Sequence, residues 1–413
     1  MVFKFNITSL VLLLSVACVA SASDQIPGKM PEGPVAIVGA TLHPVSGDVI
    51  EKGTILFEDG KITAIGEKVK VPKKAEVIKA DGKHVYPGLF EPYTRIGLTE
   101  YAAVRASNDY RETGMMNPNV KANVAVNPDS EIIPVTRSNG VLLALSAPAG
   151  GLLAGQGAVM QLDGWTYEDM TVKPRAVMAA AMRGDGDRDR LEAFFDEARQ
   201  YAAAKKAGVE IAHDMRLEAM DAVLAGEQPI VIEVDQWEDI VRAVTFAEKQ
   251  KVKLIVLGGY DAPKCADVLK RADVPVIISA VHRTPRSPDE PYDGAYTLAK
   301  ELKEKGIKFC ISGYDRAATW NSRNLPYHAA TAAAFGLSKE DAIRSITLSP
   351  AEILGVADRV GSLEVGKDAT LILCDGDPME AATDTEQAWI GGKPVDLNNS
   401  QKMLYEKYQR KYE

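Results

Sequence analysis

The stretch Val85-Tyr86-Pro87-Gly88-Leu89-Phe90-Glu91-Pro92-Tyr93-Thr94-Arg95 divides the chain into two regions of different pattern. Before it the sequence reads as short strands. Residues 35–38 are apolar, and Thr54-Ile55-Leu56-Phe57 and Lys61-Ile62-Thr63-Ala64-Ile65 flank Asp59-Gly60, a hairpin signature. Residues 75–78 alternate ahead of Asp81-Gly82. Residues 34–87 thus predict a small β unit.

Beyond that stretch, apolar strand-like runs alternate with helical periods. The runs are 140–145, 229–234, 252–257, 274–278 and 307–311; helices fit 190–207, 213–225, 237–249, 262–271 and 296–305. Alternation across 88–350 predicts a parallel α/β barrel of TIM type, (β/α)8, which typically needs ~250 residues. A doubly wound open sheet is the competing fold, and no GxGxxG phosphate loop supports it. After Pro350 strand patterns return: residues 362–367 lead into 369–374, and 388–393 read as a last hairpin. Strands from both ends can share one sheet, because chain ends often lie close together. The expected order is a signal peptide (1–22), the first part of a β-sandwich domain (23–87), the barrel (88–350), the second part of the sandwich (351–395) and a tail (396–413) with a short surface helix.

Composition narrows the function classes. The 413 residues carry 57 acidic and 48 basic side chains, a net charge of −9. That balance argues against nucleic acid as a partner, since phosphate binding needs a basic footprint. Five histidines allow at most one modest metal centre. At the N-terminus, Lys4 precedes an apolar stretch (7–19) and Ala20-Ser21-Ala22, the pattern of a secretory signal cleaved after Ala22. The stretch is short and interrupted by Thr8, Ser9 and Ser15, so no membrane span is expected after cleavage. Export to a periplasm or the outside follows; Cys18 is a weak lipid-anchor position. The remaining cysteines, Cys265, Cys310 and Cys374, show no metal or disulfide spacing and read as buried thiols.

The order of these pieces resembles the amidohydrolase superfamily, in its imidazolonepropionase-related branch. The likeness is carried by Val85-Tyr86-Pro87-Gly88-Leu89, by Leu348-Ser349-Pro350-Ala351-Glu352-Ile353-Leu354-Gly355, and by Gly361-Ser362-Leu363-Glu364-Val365-Gly366-Lys367-Asp368-Ala369. The resemblance implies hydrolysis of non-peptide C–N bonds in small cyclic amides and related compounds. It also implies one or two divalent metals, usually Zn or Fe, that activate a water. An HxH pair at the end of the first barrel strand normally supplies the first ligands. Here Tyr93 and Arg95 stand at those positions. Arginine cannot act as a ligand. Later strand ends carry Glu233, Asp235, Gly258 and Gly259 where relatives often place histidine. The surviving match is Asp315, in Ser312-Gly313-Tyr314-Asp315, at the position of the family's proton shuttle.

The histidine metal centre is therefore expected to be lost, with no metal and no other cofactor. Arg95 is expected to pair with one of Glu233, Asp235 and Asp315; an all-carboxylate metal site is the competing reading. In a rebuilt site Asp315 acts as base and Arg95 as electrophile, with Tyr93, Glu233, Asp235 and His282 as substrate contacts. His282 follows a barrel strand and so belongs to the mouth, where barrel enzymes work; a solvated loop histidine is its plain alternative. His328 reads as a packing residue. The glycine-rich segment 147–157 reads as a mouth loop, and 183–190 as a charged exposed loop. Two functions remain open: a hydrolase with an altered site, or a non-catalytic barrel that binds a small molecule or partners a related amidohydrolase in a homo- or hetero-oligomer.

Overall fold

The computed structural model describes residues 25–286, 288, 290–314 and 319–412. The expected signal peptide and Asp315 lie outside the described residues.

The first strands are β1 (Val35–Leu42), β2 (Ile50–Glu58), β3 (Lys61–Gly66), β4 (Glu76–Lys79) and β5 (His84–Pro87). Asp59 and Gly60 join β2 to β3 with φ of 50° and 80°, the double left-handed turn that the Asp-Gly pair favours. The barrel strands follow: β6 (Leu89–Thr94), β7 (Val141–Ser146), β8 (Leu153–Gln161), β9 (Thr171–Ala180), β10 (Ile230–Val234), β11 (Leu254–Gly258), β12 (Val276–Ser279) and β13 (Phe309–Ser312). The chain ends with β14 (Leu371–Cys374), β15 (Thr385–Ile390), β16 (Lys393–Pro394) and the helix Ser400–Gln409.

Two eight-stranded sheets result. In the first, β14 pairs antiparallel with β5, from Leu371 opposite Pro87 to Cys374 opposite His84, so strands from both chain ends form one domain. Ile37, Phe57, Ile62, Leu371 and Trp389 share its core. In the second, neighbours run in chain order from β6 to β13. Ser312 at the end of β13 reaches back to the Tyr93 carbonyl of β6 at 3.1 Å, which brings the barrel close to closure.

The barrel follows the expected α/β alternation except at β8, which runs antiparallel to both β7 and β9. A parallel return needs a long crossover. Here only six residues (147–152) separate β7 from β8, and Gly150 and Gly151 turn the chain at φ of 102° and 69°. The segment 147–157 is thus a mouth loop only as far as Leu152; its second half is strand. Gly157 lies there because a Cβ would stand 2.9 Å from Val177 of β9. The segment 183–190 also differs from a loop: the helix Asp185–Lys206 begins inside it, with Asp185 and Asp187 in the first turn where the helix dipole favours acids. Residues 213–225 hold two short helices, Met215–Glu218 and Asp221–Leu224, in place of one.

Strand alternation sorts the barrel core. Ile230, Ile232, Leu254, Val256, Val276 and Ile278 pack outward on the helices. Val231, Ile255, Leu257, Ile277 and Cys310 fill the interior together with Phe90 and Tyr93. Ala351, Leu354, Val356 and Val360 join that interior cluster and plug its lower end. The upper end, at the strand C-termini, is left to polar residues.

Candidate active site

At the end of β6 the chain places Glu91, Tyr93 and Arg95. Glu91 is fully buried. Its Oε2 accepts the Gly313 N–H at 3.0 Å, and its Oε1 accepts from the Ser312 hydroxyl and from the Tyr93 N–H. Burial pushes its pKa up to about 7 against the pull of those donors. The same burial, with Glu91 beside it, raises the Cys310 thiol well above its ordinary range. Gly313 must be small, because a Cβ there would lie 3.0 Å from Glu91 Oε2. Glu91 thus stitches the last barrel strand to the first, directly beneath the mouth.

Arg95 rises above this layer. Its Nη2 donates to the Tyr314 hydroxyl at 3.0 Å, and its guanidinium carbon lies 4.2 Å from the Tyr110 ring centroid and 5.7 Å from that of Tyr314. Tyr93 meets Tyr314 edge-on at 5.1 Å. Burial raises the Tyr93 hydroxyl pKa; Tyr314 and Glu233 add to the shift and Arg95 opposes it. Glu233 shares the inward face of β10 with Val231. Tyr93, Arg95, Glu233 and Tyr314 are therefore one electrostatic neighbourhood.

Asp235 has a different companion. Its Oδ2 accepts from Arg286, and burial raises its pKa against that pairing. Arg283 and Arg286 stack on the Tyr260 ring at 3.5 and 4.6 Å, and Glu290 binds Arg283 at 3.1 Å. The Tyr260 hydroxyl in turn donates to the Ser279 carbonyl. The segment after β12 is strapped over the mouth by these contacts, and Asp235 is part of the strap. His282 turns the other way: its ring stacks on His328 at 4.1 Å, and its Nε2 meets Thr331 Oγ1 at 2.7 Å. Burial lowers both imidazole pKa values, that of His328 to about 3, so the pair is neutral at pH 7. His328 is buried in the helix Leu325–Ala334, as a packing residue should be.

Do these residues suit the metal centre that the resemblance implies? Among the described residues no group of three or more His, Cys, Asp or Glu side chains is placed to hold a metal ion. The end of β6 offers a phenol and a guanidinium, and a guanidinium has no lone pair to give. The histidines after β12 are stacked on each other, and His43 and His84 belong to the sheet domain, 3.0 Å apart. The described residues do not fit a histidine metal centre.

Glu91, Tyr110, Tyr260, Arg283, Arg286 and Tyr314 were not singled out from the sequence. Only Glu91 had a signal there: a lone acid inside the otherwise apolar run Leu89-Phe90 before Pro92. The others gain their role from loops that only the fold brings together.

Comparison with known proteins agrees with this architecture. Residues 196–398 match the model of the amidohydrolase family. An amidohydrolase from Thermotoga maritima MSB8 superposes with a TM-score of 0.81 at 26% identity, over 88% of this chain and 99% of that one. The imidazolonepropionase of Mesorhizobium japonicum is 22% identical over 79% of this chain and 87% of its own length. Amidohydrolase tasK of Hapsidospora irregularis is 22% identical over 89% of this chain, which spans 42% of that protein's length. In sequence and fold the chain is thus similar to the amidohydrolase superfamily, with imidazolonepropionases among the proteins it resembles.

Proposed function

We propose that the protein is an exported hydrolase of non-peptide C–N bonds in small cyclic amides or related compounds, working without the histidine metal centre of its relatives. The observation that carries this reading is Arg95: a fixed cation at the end of β6, oriented by Tyr110 and by the Tyr314 hydroxyl. Its guanidinium donates to the substrate carbonyl oxygen and stabilises the oxyanion as that oxygen gains charge. Glu233 holds the attacking water, and Asp315 takes its proton. Oxygen bonds to the carbonyl carbon, the C–N bond breaks, and the proton passes to the leaving nitrogen. Tyr93 closes one wall. Asp235 acts through the strap, since Arg286 already occupies it.

Export rests on the sequence of residues 1–22, and a small molecule is the partner this mouth suits. A non-catalytic barrel, as a binder or as the partner of a related amidohydrolase, is the second reading. It draws on the same strap, because Arg286 ties one carboxylate oxygen of Asp235, Oδ2, into that strap. The test is a panel of cyclic amides and imides assayed with and without chelator, on the natural protein and on Arg95→Met. Chelator-resistant activity that Arg95→Met abolishes supports the hydrolase. Activity that needs added zinc overturns the metal-free site, and inactivity with a co-purifying homologous chain favours the partner role.

A further inference from the structure

The lower end of the barrel carries a groove of about 900 Å3 that the reaction at the mouth does not use. We propose that this groove binds an amphipathic carboxylate, with its apolar tail on Leu254, Val274, Ile307 and Phe309 and its charge between Lys173 and Lys253. A volume of this size is typical of small-ligand pockets, which span ~300–1,000 Å3.

The floor is made where β11, β12 and β13 begin, and the helix Leu348–Ile353 closes one side. Lys173, near the start of β9, donates to the carbonyls of Leu354 at 3.0 Å and Gly355 at 3.3 Å. It thereby caps the negative end of that helix and is fixed in place. An ammonium has three donors, so one remains. Burial lowers its pKa, Asp358 opposes the shift, and the Lys253 charge adds to it. Two ammonium groups therefore act on each other across the groove.

Four of the five acids that line the groove are already engaged, and Asp358, outside the lining, acts on Lys173. Asp273 binds Lys308 at 2.7 Å, Asp341 binds Lys303 at 2.5 Å, Glu352 binds Arg344 at 2.7 Å and Glu248 binds Arg271 at 3.1 Å. Glu227 is the lining acid left over. Against it stand Lys173 and the exposed Lys251 and Lys253, none of which has an ion pair among the described residues. Lys251 is held at the rim because it ends the helix Trp237–Gln250 in the left-handed conformation, φ 53°. Surplus positive charge over an apolar floor matches an anion with an apolar tail.

Isothermal titration of the purified protein with decanoate tests this, with decyltrimethylammonium and inorganic phosphate as controls. Decanoate should bind saturably at one site, and Lys253→Glu or Lys251→Glu should weaken it by about tenfold or more. Lys253→Gln serves if a charge reversal harms folding. Binding unchanged in these variants, equal binding of the cationic amphiphile, or phosphate binding as tightly as decanoate would each overturn the proposal. So would a dimer that buries the groove and blocks decanoate. Arg95→Met must leave decanoate affinity unchanged, so failure here and failure of the hydrolase reading are told apart.

Discussion

The guanidinium carbon of Arg95 lies 4.2 Å from the centroid of the Tyr110 ring. Arg95 follows β6, Tyr110 belongs to the segment covering it, and Tyr314, which accepts the Arg95 Nη2 proton, follows β13. One cation thus links both sides of the barrel seam to the loop above. The loop is held in turn by the Tyr110 carbonyl, which accepts the Ala149 N–H at 2.8 Å.

That linkage separates a positioning role from a catalytic one. Arg95→Met should lower C–N hydrolysis by about 10² to 10³-fold, the usual loss of an oxyanion donor. Tyr110→Leu should cost about 1 kcal/mol of stability through the lost cation–π contact, with a smaller fall in kcat. The double variant should be no slower than Arg95→Met alone, because Tyr110 acts through the arginine. Steady-state kinetics of the four proteins decides this, and additive losses would contradict it.

The architecture was legible because periodicity and order carry it. The Asp59-Gly60 hairpin, the strands at 230–234 and 254–258 and the tail helix all follow from local pattern. The antiparallel β8 did not, because glycines at 150, 151, 155 and 157 read as a loop until Val177 is seen packed against one of them. At the site, Tyr93 and Arg95 stand out because the resemblance places an HxH pair at their positions, at and just beyond the end of β6. Their partners Tyr110 and Tyr314 lie on other loops, and no spacing in the sequence announces a contact across the barrel seam. Asp235 likewise meets Arg286 only because the segment after β12 folds back over Tyr260.

Glu91 should make stability fall as pH rises. Its pKa goes from 4.5 to about 7 in the folded chain, so the folded state holds the proton longer than the unfolded state does. The stability it confers is complete below pH 4.5 and is lost as pH climbs through 7, by up to roughly 3 kcal/mol. Glu91→Gln should flatten this slope in urea unfolding measured from pH 4.5 to 8. A constant offset is also expected, because the amide NH2 must face a backbone N–H where a carboxylate oxygen was. An unchanged slope would show that Glu91 does not titrate in this window.

Arg137 and Asp163 form a buried pair at 2.6 Å. Arg137 also donates to the Leu162 carbonyl at 3.1 Å and to the Asp396 carbonyl at 3.0 Å, tying the barrel to the chain's C-terminal part. Burial lowers the arginine pKa and raises the aspartate pKa despite their attraction, so desolvation outweighs the pairing. Asp163→Ala should therefore cost about 3–5 kcal/mol, since it strands a buried cation. Arg137→Met with Asp163→Leu should cost less than Asp163→Ala alone. Chemical unfolding of the three proteins checks the order, and a double variant worse than the single would refute it.

His328 opposes Glu91 on the acid side. Burial takes its pKa from 6.5 to about 3, so the folded chain disfavours the imidazolium. Its stabilising share is whole above pH 6.5 and drains away as pH falls toward 3. In the natural protein the gain from Glu91 masks part of that loss, because the two slopes have opposite sign between pH 4.5 and 6.5. Acid sensitivity should thus be steeper in Glu91→Gln than in the natural chain, and His328→Phe in that background should lessen it, leaving the share of His43, whose pKa burial also lowers, to about 4. At pH 7 His328→Phe should cost about 1 kcal/mol instead, since the His282 N–H loses its acceptor, Nδ1 at 3.3 Å. The unfolding free energies of the two proteins should therefore cross between pH 7 and pH 4, and parallel curves would rule out His328 as the acid-labile group.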